Sequence, residues 1–158
     1  MKFLVIAKID GSDISQQNKP QLAKTAARLM NITGGTLSLY KDRLIIKCSS
    51  NPVVKASADY LHSIFACGKG IPNPVEVCNE LNGDCDSEEE IRAVTHVIED
   101  ASIGAVILIL VVDKTLADKL PDLFFGEQFG FPSSFMHDCS PGQAIAINCE
   151  RPQMNLLG

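Results

Sequence analysis

The chain has 158 residues, 46% of them hydrophobic and 21% charged, which suits one folded domain with a sizeable core and excludes a disordered chain. Its net charge of −5, from 14 basic and 19 acidic residues, argues against general nucleic-acid binding. No basic run or basic amphipathic helix points to a membrane surface.

The opening residues, MKFLVI, carry too short an apolar stretch for a secretory signal, since Lys8 follows at once. Phe3 to Lys8 reads as a buried strand, and Gly11 to Pro20 as a polar loop. Leu22, Ala26, Leu29 and Met30 recur at helical spacing, and Gly34-Gly35 is expected to stop that helix. A second strand is expected over Arg43 to Cys48. Asn51 can cap the next helix with Pro52 at its first position, where a missing N–H is harmless. Val54, Ala58, Leu61 and Phe65 form its apolar stripe, and a short strand is expected at Val75 to Val77.

Ser87 and Glu90 have capping-box spacing, ahead of a helix whose buried face is Ile91, Val94, Ile98 and Ala101. The ten-residue apolar run from Ile103 to Val112 falls far short of a bilayer span of about 20 residues, so it reads as a buried strand. Leu116, Leu120, Leu123 and Phe124 suggest another helix, which Pro121 should distort or shorten. Gly126 to Pro141 reads as irregular, with Phe124, Phe125, Phe129, Phe131 and Phe135 forming a flap on the core or a homodimer surface. Gln143 to Cys149 is expected as the last strand, and residues 151–158 as a mobile tail beyond a single 1–150 domain. The alternation of strands and helices calls for a three-layer α/β/α sandwich on a largely parallel sheet.

The six cysteines show no Cys-x-x-Cys spacing, so neither a metal site nor a cofactor is expected. Reduced thiols and a cytoplasmic location follow as expectations. Ligands of open α/β sheets bind outside the carboxyl ends of the strands. That rule selects Lys8 and Asp10 after the first strand, Ser49 with Lys55 after the second, and Asp113 after the strongest strand. Ser49, Ser50 and Asn51 at a helix N-terminus could hold an anion, or could simply cap the helix.

These segments, in this order, resemble the histidine phosphatase (phosphoglycerate mutase-like) superfamily. The strand MKFLVIAKID matches a family strand that ends in Arg-His-Gly, with Ala7, Lys8 and Ile9 in those places. LIIKCSSNPVVKASADYL resembles the Ser-Ser-Pro segment and its Arg-bearing helix; Lys55 replaces the Arg after one inserted residue. VILILVVDKTLADKLP resembles the strand ending in the second His, with Asp113 at that position, and SPGQAIAIN resembles the closing strand.

The resemblance implies a phosphoglycerate mutase-like fold and a reaction in which a neutral His takes up a phosphoryl group held by arginines. It also implies that this reaction is lost. An ammonium has no lone pair with which to attack phosphorus, Ala7 has no guanidinium, and Asp113 repels a phosphoryl dianion by roughly 4 kcal/mol per unit pair at 4 Å and a dielectric near 20. Glu80 and Asp84 lie roughly where some members supply a proton donor. An ion pair between Lys8 and Asp113 is one expectation; anion binding through Lys8 and Lys55 is another. His62 and His96 are expected on solvated helix faces, and His137 could reach the pocket.

The expected function is therefore a non-catalytic protein (a pseudoenzyme) that binds a phosphate-bearing small molecule or a protein partner through Lys8, Asp10, Ser49, Lys55 and Asp113. The alternative is a phosphatase or phosphotransferase with Asp10, Asp113 or Cys48 as its nucleophile.

Overall fold

Runs of β-branched and aliphatic residues build the centre of the molecule. The computed structural model describes residues 1–15, 18–33, 37, 41–68, 70, 72–124, 136–150 and 153–157. The strands are β1 (Phe3–Ile9), β2 (Leu44–Cys48), β3 (Glu76–Val77), β4 (Ile107–Asp113), β5 (Ala144–Asn148) and β6 (Gln153–Leu157). They form one sheet in the order β3-β2-β4-β1-β5-β6. The pairs β3/β2, β2/β4 and β4/β1 are parallel, whereas β1/β5 and β5/β6 are antiparallel. β1 and β4 are apolar along almost their whole length, as a strand covered on both faces must be.

Among the described residues, four α-helices cover the two faces: α1 (Lys19–Thr33), α2 (Pro52–Phe65), α3 (Glu88–Ser102) and α4 (Lys114–Phe124). The period of two along each strand sorts the core into two halves. Val5, Ala7, Ile46, Ile109 and Val111 pack with Leu22, Leu29, Val54 and Leu61 of α1 and α2. Leu4, Ile6, Leu108, Leu110 and Val112 pack with Val94, Ala101, Leu116 and Leu120 of α3 and α4. The three-layer α/β/α arrangement expected from the sequence is present, and it puts the carboxyl ends of β1, β2 and β4 on one edge.

The caps behave as their chemistry dictates. Asn51 Oδ1 accepts from Val53 N at 2.9 Å and Val54 N at 3.3 Å, with Pro52 opening α2. Ser87 Oγ accepts from Glu90 N at 3.2 Å, but Glu90 returns its carboxylate to Asp86 N, one residue before the cap. Several details depart from the sequence reading; the strand expected from Ile103 begins only at Ile107, and Ile103 itself is exposed. The helix α4 runs on through Pro121 to Phe124. The final segment, expected as a mobile tail, contains β6, which pairs with β5 from Gln153 opposite Asn148 to Leu157 opposite Ala144. Cys149, assigned to the last strand, lies just past it and is exposed. Gly34, Gly35, Phe125, Phe129, Phe131 and Phe135 lie outside the described residues, as does the side chain of Phe124.

Candidate functional site

Lys8 lies in β1, where the alternation that buries Leu4 and Ile6 directs it to the α3/α4 face. The residue is only 6% exposed, so its charge must be met inside the protein. Its Nζ donates to Asp118 Oδ1 at 2.8 Å, to the Met136 carbonyl at 3.2 Å and to the His137 carbonyl at 3.5 Å. Asp118 comes from α4, and its second oxygen lies 3.3 Å from His137 Nδ1. His137 therefore does reach this corner, through Asp118.

The expected Lys8–Asp113 pair does not form. In the register of the parallel strands Lys8 faces Val112, and Asp113 faces Ile9. Neighbours in register point to the same side of a sheet, so Lys8 and Asp113 belong to opposite faces. Asp113 instead turns to the loop after β1: its Oδ1 accepts from Gly11 N at 2.8 Å and its Oδ2 from Thr115 N at 3.4 Å. Asn51 Nδ2 donates to the Gly11 carbonyl at 3.3 Å, so this loop is clasped from both sides. A Cβ on Gly11 would stand 2.6 Å from Asn51 Nδ2 and 2.7 Å from Asp113 Oδ1, so any other residue would displace these two side chains.

Between the ends of β2 and β4 lies a cleft of about 260 Å³. Ser49, Asn51 and Asp113 line it from the sheet edge, and Asn82, Gly83 and Asp84 line it from the loop before α3. Leu81 and Leu116 complete its wall. Asn82 fastens this loop to β2, accepting from Ser50 N at 2.8 Å and donating to Ser50 Oγ at 2.7 Å. Ser49 is 3% exposed, and its Oγ has no hydrogen-bond partner among the described residues.

Of the five residues singled out from the sequence, Ser49 and Asp113 line this cleft. Asp10 lines a second cavity with Ser12, Asp13, Asn18 and Pro141, while neither described cavity has Lys8 or Lys55 in its wall. Lys55 pairs with Asp59 one helical turn on, at 2.6 Å. Asp10 accepts from Ser12 Oγ at 2.6 Å and Ser12 N at 3.1 Å, and Lys114 Nζ lies 3.6 Å away. The hydrogen bonds from Ser12 hold its carboxyl below the ordinary value of 3.8, with Lys114 adding to the effect. Burial pushes the Cys48 thiol up from 9.0 to about 11, and burial also raises Cys139, which neighbours Lys8 and Asp118. Glu80 is exposed and stands away from the cleft wall, whereas Asp84 is part of it. His62, expected in solvent, is half-buried, and its Nε2 is without a partner among the described residues. Those residues contain no group of three His, Cys, Asp or Glu arranged to hold a metal ion. Nor is any described helix long and apolar enough to cross a membrane.

Asp118 escaped the sequence reading. The signal available for it was the parity of Lys8: a lysine sharing a face with Leu4 and Ile6 must find its counter-charge on the helices covering that face.

No family model matches the sequence, and no curated protein matches it. Solved structures do match the fold. A mycobacterial glucosyl-3-phosphoglycerate phosphatase is similar over 99% of this chain and 97% of its own, with a TM-score of 0.54 and 11% identity. A phosphoglycerate mutase from Plasmodium falciparum is similar over 99% of this chain and 89% of its own, with a TM-score of 0.54 and 12% identity. The alpha-ribazole phosphatase from Shigella flexneri is similar over 98% of this chain and 94% of its own, with a TM-score of 0.51 and 11% identity. Sheet, helix layers and neighbours agree: this chain has the histidine phosphatase, or phosphoglycerate mutase-like, fold.

Proposed function

We propose that this protein is a non-catalytic bearer of the histidine phosphatase fold, one that binds a ligand or protein partner at its carboxyl strand edge without transferring a phosphoryl group. One observation carries the reading. Lys8, which the resemblance places where the nucleophilic His would be, has Asp118 and two carbonyl oxygens as acceptors around its Nζ. Three acceptors match the three donors of an ammonium, a form with no lone pair to offer phosphorus. The position is thus filled by a structural ion pair.

The remaining groups support the same reading. Ala7 supplies no fork for phosphoryl oxygens, and Asp113 brings a carboxylate to the cleft. A phosphate-bearing ligand would have to draw Lys8, Lys55 or Lys114 away from Asp118, Asp59 or Asp10. Cys48, the strongest nucleophile among the alternatives, is kept a thiol by burial, with a pKa of about 11.

The test is steady-state turnover of p-nitrophenyl phosphate and a panel of phosphomonoesters across the acid to neutral range. The expected result is the background rate, unchanged in Lys8→Ala and Asp113→Ala. Turnover that either substitution abolishes would overturn the reading.

A further inference from the structure

We infer that the cleft between the ends of β2 and β4 is a site for an alkylammonium group, presented by a small diamine or by a lysine side chain of a partner. The inference rests on the reading of this cleft as non-catalytic and names what it takes. Among the described residues, the two ionisable side chains in its wall are Asp84 and Asp113, both carboxylates, and no basic side chain lines it. The lysines around this edge already have partners: Lys8 has Asp118, Lys114 has Asp10, Lys55 has Asp59 and Lys119 has Asp86. Among the described residues, the negative wall therefore lacks an internal cation.

Ser49 makes the independent case for a ligand. It continues the alternation of β2 beyond Cys48, whose side chain packs on the α1/α2 face, so its own turns to the face of Leu81 and Leu116. Both leucines share the cleft wall with it. Buried polar groups are nearly always hydrogen-bonded, yet Ser49 Oγ, in a residue 97% buried, has no partner among the described residues. A hydroxyl offers lone pairs to an ammonium, which brings three donors. Two carboxylates stand with this hydroxyl as acceptors of the matching kind, Asp113 through the lone pairs left beside the Gly11 N and Thr115 N bonds.

Size and apolar content narrow the class. The cleft, at about 260 Å³, lies below the roughly 300–1,000 Å³ usual for whole drug-sized ligands, so it suits one chain-like group. Leu81 and Leu116 can accompany a methylene stem while the charged head meets Asp113 and Asp84. A bare metal ion fits less well, because the described residues offer no three-ligand group. The net charge of −5 favours the approach of cations from a distance.

The experiment is calorimetric titration of the whole protein with 1,4-diaminobutane in one arm and a tetralysine peptide in the other. 1,4-Butanediol and inorganic phosphate serve as uncharged and anionic controls. Saturable binding in at least one ammonium arm is expected, weakened about tenfold by Asp113→Asn, since charge-assisted hydrogen bonds are the strong ones. Asn at 113 keeps an acceptor for Gly11 N; should that variant fail to fold, the exposed Asp84→Asn takes its place, with a smaller loss expected. Binding of the diamine alone supports a small-molecule source, and binding of the peptide alone supports a partner's lysine. No saturable binding in either arm overturns the inference, as does equal binding of butanediol, preference for phosphate, or indifference to both Asn variants. Phosphomonoester turnover would defeat the non-catalytic reading instead, so the two failures are distinguishable.

Discussion

Two corners of the same sheet edge treat their charges in opposite ways. At the end of β1, Lys8 is buried and its Nζ is surrounded by Asp118 and two carbonyls. Between β2 and β4, Asp113 and Asp84 share a cleft; among the described residues its wall has no basic side chain and Ser49 Oγ has no partner. A charge that is desolvated and fully paired acts in stability; a buried hydroxyl without a partner among the described residues, beside two carboxylates, is available to a ligand. The resemblance places both corners in one catalytic centre; the structure has an internal ion pair at the first and an open cleft at the second.

The largest expected effect comes from breaking the first corner. Lys8→Ala leaves Asp118 half-buried without its ammonium, and should cost about 3 kcal/mol in urea unfolding. A loss under about 0.5 kcal/mol would place Lys8 with ordinary surface lysines and erase the contrast.

Next is the alkaline limb of stability, which probes the wall shared by β2. The folded Cys48 thiol has a pKa raised from 9.0 to about 11. Below 9.0 both states hold the proton and the contribution is intact; between 9.0 and about 11 the unfolded thiol ionises first, so stability falls as pH rises. The loss should be on the order of 2 kcal/mol, and Cys48→Ala, though less stable throughout, should show a flatter limb. Equal slopes for the two proteins would show that Cys48 is not desolvated.

The smallest effect sharpens the comparison from the other side. Ser49→Ala removes a buried hydroxyl that has no partner among the described residues, so stability should change by no more than about 0.5 kcal/mol, while ammonium binding weakens. A large destabilisation would mean that the hydroxyl has a structural role after all.

How much of this could be read from the sequence depended on how local each cause is. The strand β1, the Asn51–Pro52 helix start and the Ser87 cap are written in adjacent residues, and all three form. The strand β6 is not: Gln153–Leu157 has no decisive pattern of its own, and pairing with β5 across a short connection makes it a strand. The candidate site divides in the same way. Ser49 and Asp113 follow from the rule of carboxyl strand ends and do line the cleft. The partner of Lys8 required the register of β1 against β4, which sends Lys8 and Asp113 to opposite faces. It also required that α4 begin at Lys114, directly after β4, so that Asp118 comes from the helix covering Lys8.

A double-mutant cycle on Lys8→Met and Asp118→Leu tests most directly whether the nucleophile position now belongs to a structural ion pair. The two single substitutions should each destabilise the protein, and the double substitution should cost less than their sum by roughly 2 kcal/mol, because the apolar pair leaves no buried charge behind. Additive losses would mean that the two side chains do not act on each other, contradicting the proposal that an ion pair here stands in place of phosphoryl transfer.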